Sequence, residues 1–125
     1  MTKNELGYSR LQDILGDKAE TIMETFKEIS PDFANYIVEY AYGDLYARKG
    51  ISDKHRELSA VACMIGQGNT GVPIKAHLNG MLNVGWTKEE IIETLIFLSG
   101  YAGFPSCVDA ILQLKEIIKE RSEPA

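Results

Sequence analysis

The chain has little cysteine, no excess of positive charge and no long hydrophobic run. Its 125 residues include two cysteines, too few for a disulfide-stabilised scaffold. Eighteen acidic against thirteen basic side chains give a formal charge of −5, which argues against a nucleic-acid or anionic-membrane surface. The longest uncharged stretch, Leu58–Ile74, is interrupted by glycines and Pro73, so it predicts no membrane span.

Ordinary globular composition, 45% hydrophobic and 25% charged, predicts one domain over residues 1–125. The first residues, Met1–Gly7, contain no apolar segment of the signal-peptide kind. A cytoplasmic location with reduced thiols is therefore expected.

Hydrophobic residues recur with helical spacing, and no window alternates with the period of a strand, so an all-α fold is predicted. Capping and turn residues delimit about seven helices, near 8–16, 19–29, 31–49, 53–67, 73–83, 88–102 and 105–121. The third is expected to break or bend near Gly43. The sharpest boundary is Thr87–Glu90, a T-x-x-E capping box. We predict a single-domain helical bundle.

Two of these helices are too apolar for a monomer. Leu58–Gly66 and Thr94–Phe104 carry no charge, and a helix that is apolar all round is buried all round. Seven short helices cannot cover two such segments, so an interlocked homo-oligomer is predicted.

Gly66–Gly71 fits the pattern G-x-G-x-x-G, which indicates dinucleotide binding only between a strand and a helix. Here a helix precedes it, so we interpret it as a helix–helix connection. Cys63 and Cys107 are interpreted as buried hydrophobic residues. No histidine or cysteine pair has the spacing of metal ligands, so no metal site is predicted.

Two residues are candidates for proton chemistry. His77 lies in a helix among apolar neighbours, and imidazole exchanges protons most readily at neutral pH. Glu57 is the last charge before its helix becomes apolar, so it is either a surface carboxylate or a partly buried partner for a histidine. A structural role for His77 is the alternative.

Three segments resemble the carboxymuconolactone decarboxylase family. They are Arg56-Glu57-Leu58, the string from His77 to Glu93 (HLNGMLNVGWTKEEIIE), and Tyr101-Ala102-Gly103-Phe104-Pro105. The resemblance covers about residues 52–118. It implies an all-α fold that assembles as a ring-like homohexamer.

One branch of this family reduces peroxides with an E…C-x-x-C-x-x-x-H motif. Aligning its histidine on His77 places the two cysteine positions at Thr70 and Pro73, which excludes that mechanism. The resemblance is thus closer to the γ-carboxymuconolactone decarboxylase branch. It implies cofactor-free conversion of 4-carboxymuconolactone, a small anionic lactone of aromatic catabolism, to 3-oxoadipate enol-lactone and CO₂.

The resemblance implies that His77 donates the proton and that Glu57 orients the His77 side chain. It also implies that Arg56 binds a substrate carboxylate. Backbone N–H groups of the glycine-rich loop, at Gly68 and Asn69, are expected to hold the anion. Tyr101, or alternatively Tyr40, is expected to cover the pocket. Two alternatives stay open: a thiol-dependent, peroxiredoxin-type redox protein that uses one of the two cysteines, and a non-catalytic oligomeric protein.

Overall fold

A computed structural model of the chain describes residues 1–123, and within them every regular element is helical. The predicted all-α class is therefore confirmed. The seven α-helices are α1 (Lys3–Leu15), α2 (Lys18–Ile29), α3 (Pro31–Asn35), α4 (Asp53–Gly66), α5 (Val72–Asn83), α6 (Lys88–Ala102) and α7 (Phe104–Ser122). A π-helical segment, Tyr36–Leu45, follows α3 directly.

The helices cluster into two compact units, Met1–Arg56 and Glu57–Ala125. A single domain over residues 1–125 stays a prediction. None of the described helices combines the length and the hydropathy that crossing a membrane requires.

Local capping bonds define the helix starts in the first unit. Thr2 and Glu5 form a reciprocal capping box that begins α1, five residues before the predicted start near Tyr8. Ser30 caps α3 as predicted, because its hydroxyl oxygen accepts the Phe33 N–H at 3.1 Å. The buried hydrophobic residues of this unit are Leu11, Ile14, Leu15, Ala19, Met23, Ala34, Val38 and Tyr42.

The third helix, predicted from Pro31 to Lys49 with a break or bend near Gly43, instead changes its hydrogen bonding after Asn35. The hydrogen bonding widens there into the π-helical segment, which ends with the Tyr46 N–H bonded to the Ala41 carbonyl five residues earlier at 3.0 Å. This segment packs closely on α1 at Gly7. A Cβ added to Gly7 would lie 2.0 Å from the Val38 carbonyl oxygen, so only glycine permits this approach.

The second unit has its own hydrophobic core, formed by α4, α5, α6 and α7. Its buried members are Val61, Ile65, Ile74, Leu78, Met81, Ile91, Leu95, Cys107, Ala110, Leu114 and Ile117. The predicted capping box starts α6, because Thr87 and Glu90 exchange hydrogen bonds of 3.0 and 3.1 Å. A glycine cap at Gly85 ends α5, where the Trp86 N–H reaches the Met81 carbonyl at 3.0 Å.

The two uncharged runs are not buried on all sides within one chain. Val61 and Leu95 are buried, but Phe97 is 66% exposed. The prediction that Cys63 is buried is wrong: it is exposed, since it lies about 200° around α4 from Val61. Burial of Cys107 is confirmed.

Candidate active site

Glu57 and His77 form a hydrogen-bonded pair in the second unit. Glu57 Oε2 lies 2.9 Å from His77 Nδ1. The glutamate is fully buried, whereas the histidine side chain is 22% exposed. Because a carboxylate only accepts hydrogen bonds, we assign the Nδ1 proton to the histidine. His77 Nε2 is then the atom through which the pair can exchange a proton with a ligand.

Core packing of two helices holds this pair in place. Glu57 shares a face of α4 with Val61 and Ile65, since the three residues are spaced four apart and all are buried. His77 follows Ile74 by one turn of α5, and the same core takes up Ile74. The pair is therefore fixed by secondary structure rather than by a loop, which favours a constant geometry.

The predicted helix–helix connection between α4 and α5 is confirmed, and it consists of a helix cap followed by a turn. Gly68 has a φ of +79°, and its N–H donates to the Ile65 carbonyl at 3.0 Å. The next N–H, of Asn69, donates to the Met64 carbonyl at 2.9 Å, which completes a Schellman motif. Substrate binding by Gly68 and Asn69 through these N–H groups would require the cap bonds to be exchanged.

Sequence reasoning missed two contacts that tie α5 to α7. Asp109 Oδ2 accepts the Gly71 N–H at 3.1 Å, immediately before α5 begins. Arg121 donates to the side-chain oxygen of Asn79 at 2.9 Å and to that of Asn83 at 2.9 Å. These contacts join residues 38 to 42 positions apart, so no local sequence pattern predicts them.

Arg56 and Tyr101, the other predicted site side chains, have their own contacts. Arg56 belongs to the first unit, where its guanidinium donates to Asp53 Oδ1 at 3.1 Å and to the Arg48 carbonyl oxygen. Tyr101 is 81% exposed, and its ring centroid lies 5.3 Å from that of Phe97, one turn earlier in α6. Their roles in substrate binding stay predictions.

Comparison with known proteins places this geometry in a family. The model of the carboxymuconolactone decarboxylase family matches residues 31–116, a range that contains both members of the pair. The chain belongs to the carboxymuconolactone decarboxylase family.

Three relatives show which activities occur among similar chains. The chain is 29% identical to 4-carboxymuconolactone decarboxylase of Acinetobacter baylyi, over 86% of its own length and 81% of the relative's. It is 28% identical to nitrosuccinic acid decarboxylase of Metarhizium robertsii, over 87% and 76%. An uncharacterised 15.0 kDa protein of Paracoccus denitrificans is 26% identical, over 81% and 76%. The two named relatives support a decarboxylase of the carboxymuconolactone decarboxylase family.

The two thiols of this family member differ in their surroundings. Burial raises the pKa of Cys107 above its usual value, so its thiolate is scarce at neutral pH. Cys63 is exposed. Among residues 1–123, no three histidine, cysteine or acidic side chains are grouped so as to hold a metal ion.

We expect a thiol reagent at neutral pH to modify Cys63 faster than Cys107, because only the first is accessible and only the second has a raised pKa. Labelling followed by mass spectrometry measures the two rates. Cys63→Ser should remove the fast phase and leave decarboxylation unchanged. Peroxide reduction that disappears in Cys63→Ser would instead support the redox alternative.

Proposed function

We propose that the chain is a cofactor-free carboxy-lyase acting on a small anionic lactone of the 4-carboxymuconolactone kind. The observation that carries the proposal is the pair of a fully buried Glu57 and a partly exposed His77, joined at 2.9 Å. The family and the two decarboxylase relatives give the reaction class. The pair supplies the proton that this class of reaction needs.

The reaction breaks one carbon–carbon bond and makes one carbon–hydrogen bond. When CO₂ leaves the substrate carboxylate, the electron pair of the broken bond moves into the conjugated lactone carbonyl and forms a dienolate. His77, as the imidazolium, then donates the Nε2 proton to carbon. The electrons stay within substrate and product, so the step needs no oxidant or reductant.

Glu57 acts through His77. Its carboxylate accepts the Nδ1–H, which fixes the ring and stabilises the imidazolium that carries the proton. Burial strengthens this attraction, because the charge of Glu57 is poorly screened by water. Glu57 is therefore a positioning residue in the proposal.

The direct test is to supply enzymatically made 4-carboxymuconolactone and measure CO₂ release together with 3-oxoadipate enol-lactone. Nitrosuccinic acid is the second substrate to supply, because loss of CO₂ from it also leaves a stabilised carbanion. Turnover of either compound that is strongly reduced in His77→Ala supports the pair as the catalytic centre. If purified protein turns over neither substrate, the proposed substrate class is wrong.

We further propose that the chain assembles as a homohexamer. Large hydrophobic side chains of α6 and α7 are exposed in the single chain, and five of them, Ile96, Phe104, Val108, Ile111 and Leu112, line an apolar cavity of about 290 Å³. Those that are exposed are Ile96, Phe97, Tyr101, Phe104, Val108, Ile111 and Leu112. A surface of this kind is typical of a protein–protein contact.

Sedimentation velocity should therefore show an assembly, with the mass of six chains, at micromolar concentration. Phe97→Asp should shift the sedimenting species toward smaller mass, because it places a charge in the apolar surface. A stable monomer of the unmodified chain would contradict the proposed assembly.

A further inference from the structure

A pocket in the first unit has a charge opposite to that of the chain as a whole. Its cavity measures about 400 Å³ and is large enough for a small ligand. The charged residues that line it are Arg10, Arg48, Lys49, Arg56 and Asp53. Four cations against one carboxylate leave a local charge of +3, in a chain whose formal charge is −5.

Arg10 and Arg56 are held in place inside this pocket. Both guanidinium groups donate to the same oxygen of Asp53, and Arg10 also donates through Nε to the Tyr46 carbonyl at 3.1 Å. Burial alone would raise the pKa of Asp53, but the bonds from Arg10 and Arg56 outweigh it and lower that pKa. Asp53 therefore stays ionised and orients two cations that it cannot neutralise alone.

Within residues 1–123, one further carboxylate contacts these two guanidiniums, and it lies outside the pocket lining. Asp13, whose side chain is 55% exposed, accepts from Arg10 Nη1 at 2.7 Å. Because that carboxylate faces water, it is well screened and compensates Arg10 only partly.

Arg48 and Lys49 complete the pocket with cations that have no ionic partner. Both residues are exposed, and neither side chain forms an ion pair with any residue in 1–123. The N-terminus of α4 also lies in the lining, at Asp53, and the helix dipole adds positive potential there. Two fixed guanidiniums and two free cations thus surround one cavity.

We propose that this cavity, the Arg10 pocket, binds a small oxyanion with two negative charges, such as a dicarboxylate or inorganic phosphate. Arg48 and Lys49 are its direct ligands, because they alone have no partner to give up. Arg10 and Arg56 supply the fixed positive field. The inference does not depend on the proposed decarboxylation, since binding is measured directly.

Titration calorimetry on the full chain, with succinate and with inorganic phosphate at constant ionic strength, tests the Arg10 pocket. We expect saturable binding of at least one anion. The double variant Arg48→Met/Lys49→Met should weaken it roughly 10–100-fold, the range for charged hydrogen bonds. If circular dichroism shows that the double variant does not fold, the single variant Arg48→Gln replaces it in the same titration and should also weaken binding.

The matched control is Lys115→Met/Lys119→Met, which removes two exposed cations from α7 and changes the net charge by the same amount. It should keep the affinity of the unmodified chain. Preference for succinate identifies the ligand as a carboxylate, and preference for phosphate identifies a phosphoryl group. Absence of saturable binding below about 10 mM, or equal weakening in both double variants, overturns the proposal.

Discussion

Replacing His77 by alanine is expected to lower kcat for the proposed decarboxylation roughly 10²–10⁴-fold, the usual contribution of general acid catalysis. The proton is needed when the dienolate collapses and not when substrate binds, so KM should change far less than kcat. Steady-state CO₂ release as a function of substrate concentration separates the two constants.

The chain offers a matched control, because it contains two histidines. His55 is exposed at the start of α4 and lies 2.7 Å from the Ser52 hydroxyl. His55→Ala should leave kcat unchanged. Equal loss in the two variants would show a general effect of histidine removal and would contradict a specific role for His77.

The variant Glu57→Gln tests whether Glu57 orients His77 or only maintains the fold. The amide keeps the shape of the buried side chain but no longer stabilises the imidazolium, so kcat should fall less than in His77→Ala. The double variant Glu57→Gln/His77→Ala should have the same kcat as His77→Ala, since Glu57 acts only through His77 in the proposal. An unchanged kcat in Glu57→Gln would contradict the positioning role.

The second large effect concerns stability. Gly7→Ala should lower the free energy of unfolding by roughly 3 kcal/mol, because the new Cβ would lie 2.0 Å from the Val38 carbonyl oxygen and backbone must move. Urea denaturation followed by circular dichroism measures the change.

Gly100→Ala is the control for helical glycine replacement. Apart from its chain neighbours and the backbone of its own helix, no atom of residues 1–123 lies within 4 Å of the new Cβ, so the better helix former should raise stability by about 0.5–1 kcal/mol. A loss below about 1 kcal/mol in Gly7→Ala would show that the two backbones can separate without much cost.

Local signals made much of the helical layout predictable from the sequence. Ser30 and Pro31 specify a helix start between neighbouring residues, and Thr87 and Glu90 do the same within four positions. The π-helical segment was missed because the hydrophobic spacing of Tyr36–Leu45 is that of an ordinary α-helix. Gly43 indicated a break or bend, but it does not indicate the wider hydrogen bonding.

The candidate site was predictable only in part. Residue type and family resemblance pointed to Glu57 and His77, but their 2.9 Å contact joins positions twenty apart and depends on the packing of α4 and α5. The bond from Arg121 to Asn79 spans 42 positions and had no signal at all. The prediction that Cys63 is buried was wrong because its part of α4 carries no charge on any side. The sequence therefore does not indicate which side of the helix is exposed.

The burial of Glu57 has a consequence for inhibitor design. Since Glu57 is fully enclosed and His77 Nδ1 is already bonded to it, the pair presents a single polar atom to any ligand, the histidine Nε2. For the proposed reaction, a competitive inhibitor therefore needs one hydrogen-bond acceptor placed at Nε2 of the His77 imidazolium. An inhibitor that distinguishes this chain from its relatives must then contact the residues around that nitrogen. A hydrogen bond to one histidine nitrogen does not by itself distinguish one chain from another.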